Sequence, residues 1–200
     1  MTRKVTANVY MTLDGRGEFP DYPGSNARRT EPSEQFLDMW VRRYDDVDTV
    51  VFGRRSYEGH QSYFSEESLR SRNSAKYLFD YRHFLDRCQK VVLSRKLKDV
   101  DWEKSRIMKG DISLVISKLR KEEGKNIIID GGPLTIRECL KERVADDYRF
   151  LVMPVIYGRG NRYWGPLLKQ ETLKLVSAKT IKDGELLLHY NAVRDRAHQT

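Results

Sequence analysis

The chain has 200 residues, with 37 Lys and Arg against 29 Asp and Glu, a formal charge of +8 and a pI near 9.4. That length builds one domain around a full apolar core without disulfide or metal staples. No apolar segment of signal-peptide type follows Met1-Thr2-Arg3-Lys4, and no run approaches about twenty apolar residues. Neither a secretion signal nor a membrane span is therefore expected, and the expected location is the cytoplasm.

Strand and helix patterns alternate along the chain. Val5 to Met11 reads as a first strand, followed by a loop through Pro32 and a helix from about Glu34 to Tyr44. Thr49–Phe52 and Lys90–Leu93 are short β-branched runs of the buried-strand kind, and Arg106–Met108 is a further short strand. Asp111 stands as N-cap of a helix over Ile112 to Glu122, whose apolar face is Ile112, Val115, Ile116 and Leu119 and whose stop is Gly124. Ile127-Ile128-Ile129 suits a strand covered on both faces. Pro133 then opens a helix to about Lys141, and Tyr148–Val155 forms a long strand. Leu173–Lys182 and Glu185–Val193 flank Asp183-Gly184, a hairpin-turn dipeptide that tolerates positive φ. The order implies an α/β class: one three-layer domain whose central mixed, mostly parallel sheet is flanked by helices and ends in a C-terminal antiparallel hairpin. It occupies residues 1–195, with 196–200 a short tail.

Two stretches lack clear patterning, Arg16–Pro32 and Gly59–Arg82, and each is long enough to cover a pocket or mediate assembly. The second is rich in aromatics: Tyr63, Phe64, Tyr77, Phe79, Tyr81 and Phe84. Core or dimer packing is the commoner use of such residues, and Tyr77 to Phe84 is a candidate interface segment.

Cys88 and Cys139 stand far apart without Cys-x-x-Cys spacing, and His60, His83, His189 and His198 form no ligand pattern, so no metal is assigned. The positive charge raises nucleic acid as a partner, but basic residues from Arg28-Arg29 to Arg194 and Arg196 are interleaved with acids rather than gathered. A solvated basic surface that can attract a phosphorylated ligand is the better account.

Three strand ends combine the groups that hold phosphate. Phe52-Gly53-Arg54-Arg55-Ser56-Tyr57 places a glycine, two guanidiniums and a hydroxyl at a helix start. Val92-Leu93-Ser94-Arg95 repeats the hydroxyl and guanidinium. Asp130-Gly131-Gly132-Pro133-Leu134 joins a carboxylate to paired glycines; these either let a ligand approach the backbone or serve plain packing. Ligands of open α/β sheets bind beyond the carboxyl ends of the strands, so the three could surround one elongated phosphorylated molecule. No Gly-x-Gly-x-x-Gly follows the first strand, so any dinucleotide would be held without a Rossmann fingerprint.

Taken in order, Met11-Thr12-Leu13-Asp14-Gly15, Val51 to Glu58, Lys90 to Ser94, Asp130 to Leu134, Val144 to Tyr148 and Pro154 to Gly160 resemble the dihydrofolate-reductase-like superfamily. The branch they resemble is that of the C-terminal reductase domain of bifunctional riboflavin-biosynthesis deaminase-reductases. This resemblance implies a dihydrofolate-reductase-like fold, a homodimer, and NADPH as cofactor. It places Gly53, Arg54, Arg55 and Ser56 on the cofactor phosphates, Ser94 and Arg95 at the adenosine 2′-phosphate, and Gly131, Gly132, Pro133 and Leu134 along the pyrophosphate and nicotinamide, with Leu93 also among the cofactor-binding residues.

The same resemblance sets Met11 and Asp14 at the border of the nicotinamide and substrate pocket, although Asp14-Gly15 also reads as a simple turn. Asp130 takes the place of the acid that meets substrate, and Asp38 that of the helical carboxylate that meets a pterin; Asp38 also reads as an exposed helix acid. The implied reaction is hydride transfer to a small heterocyclic or ribosylamino-pyrimidine phosphate substrate, of the 5-amino-6-(5-phosphoribosylamino)uracil reductase type. Dihydrofolate reductase activity and a non-catalytic nucleotide-binding module are the alternatives.

Overall fold

The computed structural model describes residues 2–17, 45–165, 170–181 and 184–193. The helix expected over 34–44 with its Asp38, Asp183 of the hairpin turn and the tail 196–200 lie outside the described residues. Eight strands form one sheet: β1 (Val5–Thr12), β2 (Val47–Gly53), β3 (Gln89–Leu93), β4 (Ser105–Met108), β5 (Asn126–Ile129), β6 (Asp147–Met153), β7 (Leu173–Thr180) and β8 (Leu186–Ala192). Their order is β4-β3-β2-β5-β1-β6-β8-β7. From β4 to β6 every neighbour is parallel, and β8 and β7 add the antiparallel edge. This is the mixed sheet expected from the alternation of elements.

The chain leaves a slot between β1 and β2, builds outward to β4, and only then inserts β5 into the slot. β5 is therefore covered on both faces, which is why an unbroken Ile-Ile-Ile run suits it. Ile127 and Ile129 join Val5, Ala7, Val9 and Val51 under α4 (Ile112–Lys121) and α5 (Pro133–Lys141). Ile128 turns the other way, to Val50, Phe52 and Val92 under α1 (Arg54–Tyr63), α2 (Glu66–Ser71) and α3 (Lys76–Arg87).

Helices α1 to α3 correct the unpatterned reading of Gly59–Arg82. α1 buries only Tyr57 along its length, so its sequence shows no apolar stripe. α3 does carry one, Leu78, Tyr81, Phe84 and Leu85, written largely in aromatics. Tyr81 and Phe84 are buried, and Tyr77 and Phe79 pack against the same core, so the candidate interface segment fills the interior of its own chain.

Smaller differences have local causes. β6 stops at Met153 because Pro154 offers no N–H to a ladder, and Val155 N–H instead donates to the Met153 carbonyl at 2.8 Å. Asp111 occupies the N-cap position of α4, yet its side chain makes no capping bond and accepts from Arg95 at 3.0 Å.

Arg3, which composition gave no reason to notice, is 5% exposed at the amino edge of the sheet. Its guanidinium donates to the Leu119 carbonyl at 3.1 Å and the Thr49 hydroxyl at 2.6 Å, and also reaches Asp48 and the Lys125 carbonyl. One side chain thus ties β1 to α4, β2 and the turn before β5. Gly124 in that turn has φ +150°, and a Cβ there would meet the Asp48 carboxylate at 2.5 Å, so only glycine fits. No helix among the described residues is long and apolar enough to cross a membrane.

Candidate functional site at the carboxyl edge of the sheet

The insertion of β5 brings two strand-to-helix turns side by side. Gly53 ends β2 and starts α1, while Gly132 starts α5 just past β5, and neither helix start has a side-chain cap. The first-turn N–H groups of both helices consequently point toward one edge. Gly132 N–H donates to Ser56 Oγ at 2.7 Å, which locks the turns together.

Thr135, in the first turn of α5, is wedged between the two glycine segments. A Cβ on Gly53 would lie 2.3 Å from Thr135 Oγ1, and one on Gly131 would lie 2.4 Å from Thr135 Cβ. Packing therefore accounts for Gly53 and Gly131. At Gly132 the nearest atom to a Cβ would be Ser56 Oγ at 3.4 Å, so that position has the looser surroundings.

Beneath this turn lies a group of buried polar side chains. Asp130 is 3% exposed, and its Oδ2 accepts from Tyr81 O–H at 3.3 Å and faces His60 Nε2 at 3.5 Å. The other ring nitrogen of His60, Nδ1, lies 2.8 Å from the Ser56 carbonyl. Burial alone would lower the His60 pKa; the Asp130 carboxylate and the Ser56 carbonyl outweigh it and raise the pKa above the ordinary histidine value. Burial, reinforced by the Asp130 charge, pushes the Tyr163 phenol up as well, against a backbone hydrogen bond from Tyr10.

One step past the last β1–β5 pair, Ala7 with Ile129, Asn8 comes level with Asp130. Asn8 is 1% exposed, and among the described residues neither atom of its amide has a hydrogen-bond partner. Its partner across β6 is Arg149, whose partner across β8 is His189. A polar row, Asp130, Asn8, Arg149 and His189, thus crosses the face of the sheet that carries α1 and α3.

The remaining expected residues lie outside that row. Asp14 lies in the turn after β1, where its carboxylate accepts from Thr12 O–H (2.7 Å), Tyr157 N–H (3.0 Å), Gly158 N–H (2.9 Å) and Arg16 Nε (3.2 Å). Those donors, Thr12 and Tyr157 foremost, hold its pKa far below the carboxylate range. Asp14→Ala is expected to speed hydrogen exchange at the Tyr157 and Gly158 amides, measured by mass spectrometry or NMR, while amides of β5 keep their protection.

Arg54 donates from Nη1 alone to both oxygens of Glu58 at 2.9 Å, and Arg55 is exposed with no ion pair among the described residues. Ser94 Oγ accepts from the backbone N–H groups of Lys96 (3.2 Å) and Leu97 (2.9 Å), and exposed Arg95 is paired with Asp111. Met11 and Leu93 are half-buried against the α4–α5 core, whereas Leu134, beside Pro133 at the start of α5, is 63% exposed. The fold thus gathers Gly53 to Ser56 with Asp130 to Leu134 directly, and sets Ser94 and Arg95 at the end of the next strand outward. His60, Tyr81 and Asn8 were not singled out from the sequence. His60 had one signal, its place one helical turn after Ser56; Asn8 had another, an amide amid apolar strand residues.

The chain resembles known proteins over almost its whole length. It is 25% identical over 195 residues to the uncharacterized protein YyaP of Bacillus subtilis, covering 94% of this chain and 96% of that one. A Shewanella sp. PV-4 protein named for riboflavin biosynthesis superposes with a TM-score of 0.69 at 20% identity, over 97% of this chain and all of its own. The diaminohydroxyphosphoribosylaminopyrimidine deaminase/5-amino-6-(5-phosphoribosylamino)uracil reductase of Thermotoga maritima superposes at 0.61 and 15% identity, over 96% of this chain and 57% of its own. Dihydrofolate reductase of Enterococcus faecalis superposes at 0.57 and 13% identity, covering 96% and 97%. The fold is accordingly dihydrofolate-reductase-like. With residues 3–187 matching the model of the RibD C-terminal domain, the chain belongs to the RibD C-terminal domain family.

Proposed function

We propose that this protein is an NADPH-dependent reductase of a small heterocyclic substrate, with a ribosylamino-pyrimidine phosphate as the leading candidate. One observation carries the reading. Two helix starts without side-chain caps, those of α1 and α5, meet at the carboxyl ends of neighbouring strands, locked by the Gly132–Ser56 bond and bordered by Arg54 and Arg55. Convergent N–H groups with guanidiniums beside them fit the phosphates of a dinucleotide. The names of the family and of the Thermotoga relative support the pyrimidine substrate.

Bound there, reduced nicotinamide would supply a hydride. The chain's own residues would bind and orient. Gly53, Arg54, Arg55 and Ser56, with Gly131, Gly132, Pro133 and Leu134, would hold the phosphates and the nicotinamide side, bordered by Met11. Leu93, Ser94 and Arg95 would take the adenosine end. Asp130 and Asn8 would offer the substrate a carboxylate and an amide on one floor. The homodimer and the role of Asp38 belong to the same proposal, tested by sedimentation and by folate turnover of Asp38→Asn.

Titration with NADPH and NADH, followed by cofactor fluorescence, tests the core of it. NADPH is expected to bind more tightly than NADH. Arg95→Ala should weaken NADPH about tenfold and leave NADH unchanged, because a charge-assisted contact to the 2′-phosphate is lost. Equal weakening of both cofactors would remove Arg95 from the 2′-phosphate. Binding of neither would overturn the reductase reading.

A further inference from the structure

The structure assigns to His60 and Asp130 a task beyond binding: we propose that they form a proton relay, in which His60 takes a proton from solvent and Asp130 passes it to the heteroatom of the substrate bond being reduced. This inference rests on the reductase reading and deepens it.

The geometry of the two ring nitrogens is the first argument. Nδ1 faces the Ser56 carbonyl at 2.8 Å, and a carbonyl can only accept, so Nδ1 carries a hydrogen. Nε2 faces Asp130 Oδ2 at 3.5 Å, and Tyr81 O–H donates to that same oxygen at 3.3 Å. When the pair is protonated, one further proton lies between Nε2 and the carboxylate, as an imidazolium beside a carboxylate or a neutral imidazole beside a carboxylic acid. The protonated pair thus holds one transferable proton.

Exposure gives the relay a direction. The His60 side chain is 23% exposed and that of Asp130 is 4%, so the imidazole is the solvent end and the carboxyl the interior end. Asp130 stands at the end of β5 immediately before Gly131 and Gly132, level with the Asn8 amide, which has no partner among the described residues. From α1, α3, the end of β5 and the 154–165 loop, the titratable groups at the pair are Tyr81, against both members, and Tyr163, within range of the Asp130 charge. Aromatic rings of Phe52 and Phe64 pack on His60 at 4.9 and 5.6 Å between centroids, leaving little water to compete.

The step balances. Reduction of a polar C=N or C=O bond breaks its π component and adds a hydride equivalent at carbon and a proton at the heteroatom. The hydride equivalent comes from the reduced nicotinamide dinucleotide named above, which is oxidised as the substrate is reduced. The proton leaves His60 Nε2, crosses Asp130 and ends on nitrogen or oxygen of the product. His60 remains neutral with Nδ1–H on the Ser56 carbonyl, and is recharged from water at its exposed edge.

The test combines titration of the ligand-free protein with turnover. Imidazole nitrogen and carbon chemical shifts of the full chain should identify one histidine, His60, that keeps Nδ1–H and titrates above the others; in Asp130→Asn its pKa should fall. With NADPH and a pyrimidine acceptor, His60→Gln should slow turnover about 100-fold with the Kd for NADPH unchanged. Imidazole should partly restore a His60→Ala variant, and the basic limb of the pH profile should vanish with His60. A His60 that titrates in the wild type no higher than the other histidines overturns the relay, even if the variants fail to fold. Intact NADPH binding with an unchanged pH profile in His60→Gln overturns the relay alone. Failure of the wild type to bind NADPH overturns the reductase reading and the relay with it.

Discussion

Replacing Gly131 by Ala is expected to lower stability by about 3 kcal/mol, and no change at Thr135 short of glycine should restore it. The new Cβ would sit 2.4 Å from Thr135 Cβ and 2.6 Å from its Cγ2, so two helix-anchored atoms must move. Gly53→Ala meets a different part of the same side chain, Oγ1 at 2.3 Å with Cβ at 3.5 Å. Thr135 is β-branched and stiff in a helix, so it cannot simply swing aside. About 1–2 kcal/mol of loss is expected for Gly53→Ala alone, and Thr135→Ala should recover most of it by removing Oγ1. The usual gain from stiffening the unfolded chain by Gly→Ala, about 0.4–1 kcal/mol, is too small to reverse either sign. Urea midpoints of the three single variants and the two double variants with Thr135→Ala measure this. Equal rescue of both glycine variants by Thr135→Ala would contradict the wedge.

Arg3→Met is expected to cost about 3 kcal/mol, the low end for breaking a buried ion pair. The charge is lost from a side chain only 4% exposed, but Asp48 keeps 34% of its side chain in water and can rehydrate. The Thr49 hydroxyl and the Leu119 carbonyl each lose a charged donor but keep a second partner, Asp48 at 2.8 Å and the Glu122 N–H at 3.2 Å, which holds the loss at that low end. Lys76→Ala makes the comparison, since its pair with Asp80 is exposed at 85% and 37% and should matter by less than about 0.5 kcal/mol. Thermal unfolding that ranks the two alike would show the Arg3 network to be worth no more than a surface pair.

What the sequence determined by itself was everything carried by local chemistry. Alternation of apolar runs, the helical spacing of Ile112, Val115, Ile116 and Leu119, and Pro133 opening α5 each act within a few residues, so the spacing alone specifies them. The strand ends and their glycines were legible for the same reason, and so was the resemblance they carry. The start of α1 was legible too, but its run past Gly59 and helix α3 were not, because one has a nearly featureless surface and the other writes its buried stripe in aromatics that equally suit a loop.

The chemistry beneath the site was decided only in three dimensions. Tyr81 and Asp130 are 49 positions apart, and Gly132 and Ser56 are 76 apart. No spacing rule spans such distances. They meet because β5 enters the slot beside β2, which sets Asp130 against α1 and α3 and level with Asn8. Asp14 and Arg95 show the same limit from the other side: local sequence offers a carboxylate and a guanidinium near two strand ends, and only the fold brings backbone N–H groups at 157 and 158 to the one and Asp111 to the other. Local sequence specifies which groups a strand end offers; the order in which strands enter the sheet specifies which neighbours those groups meet.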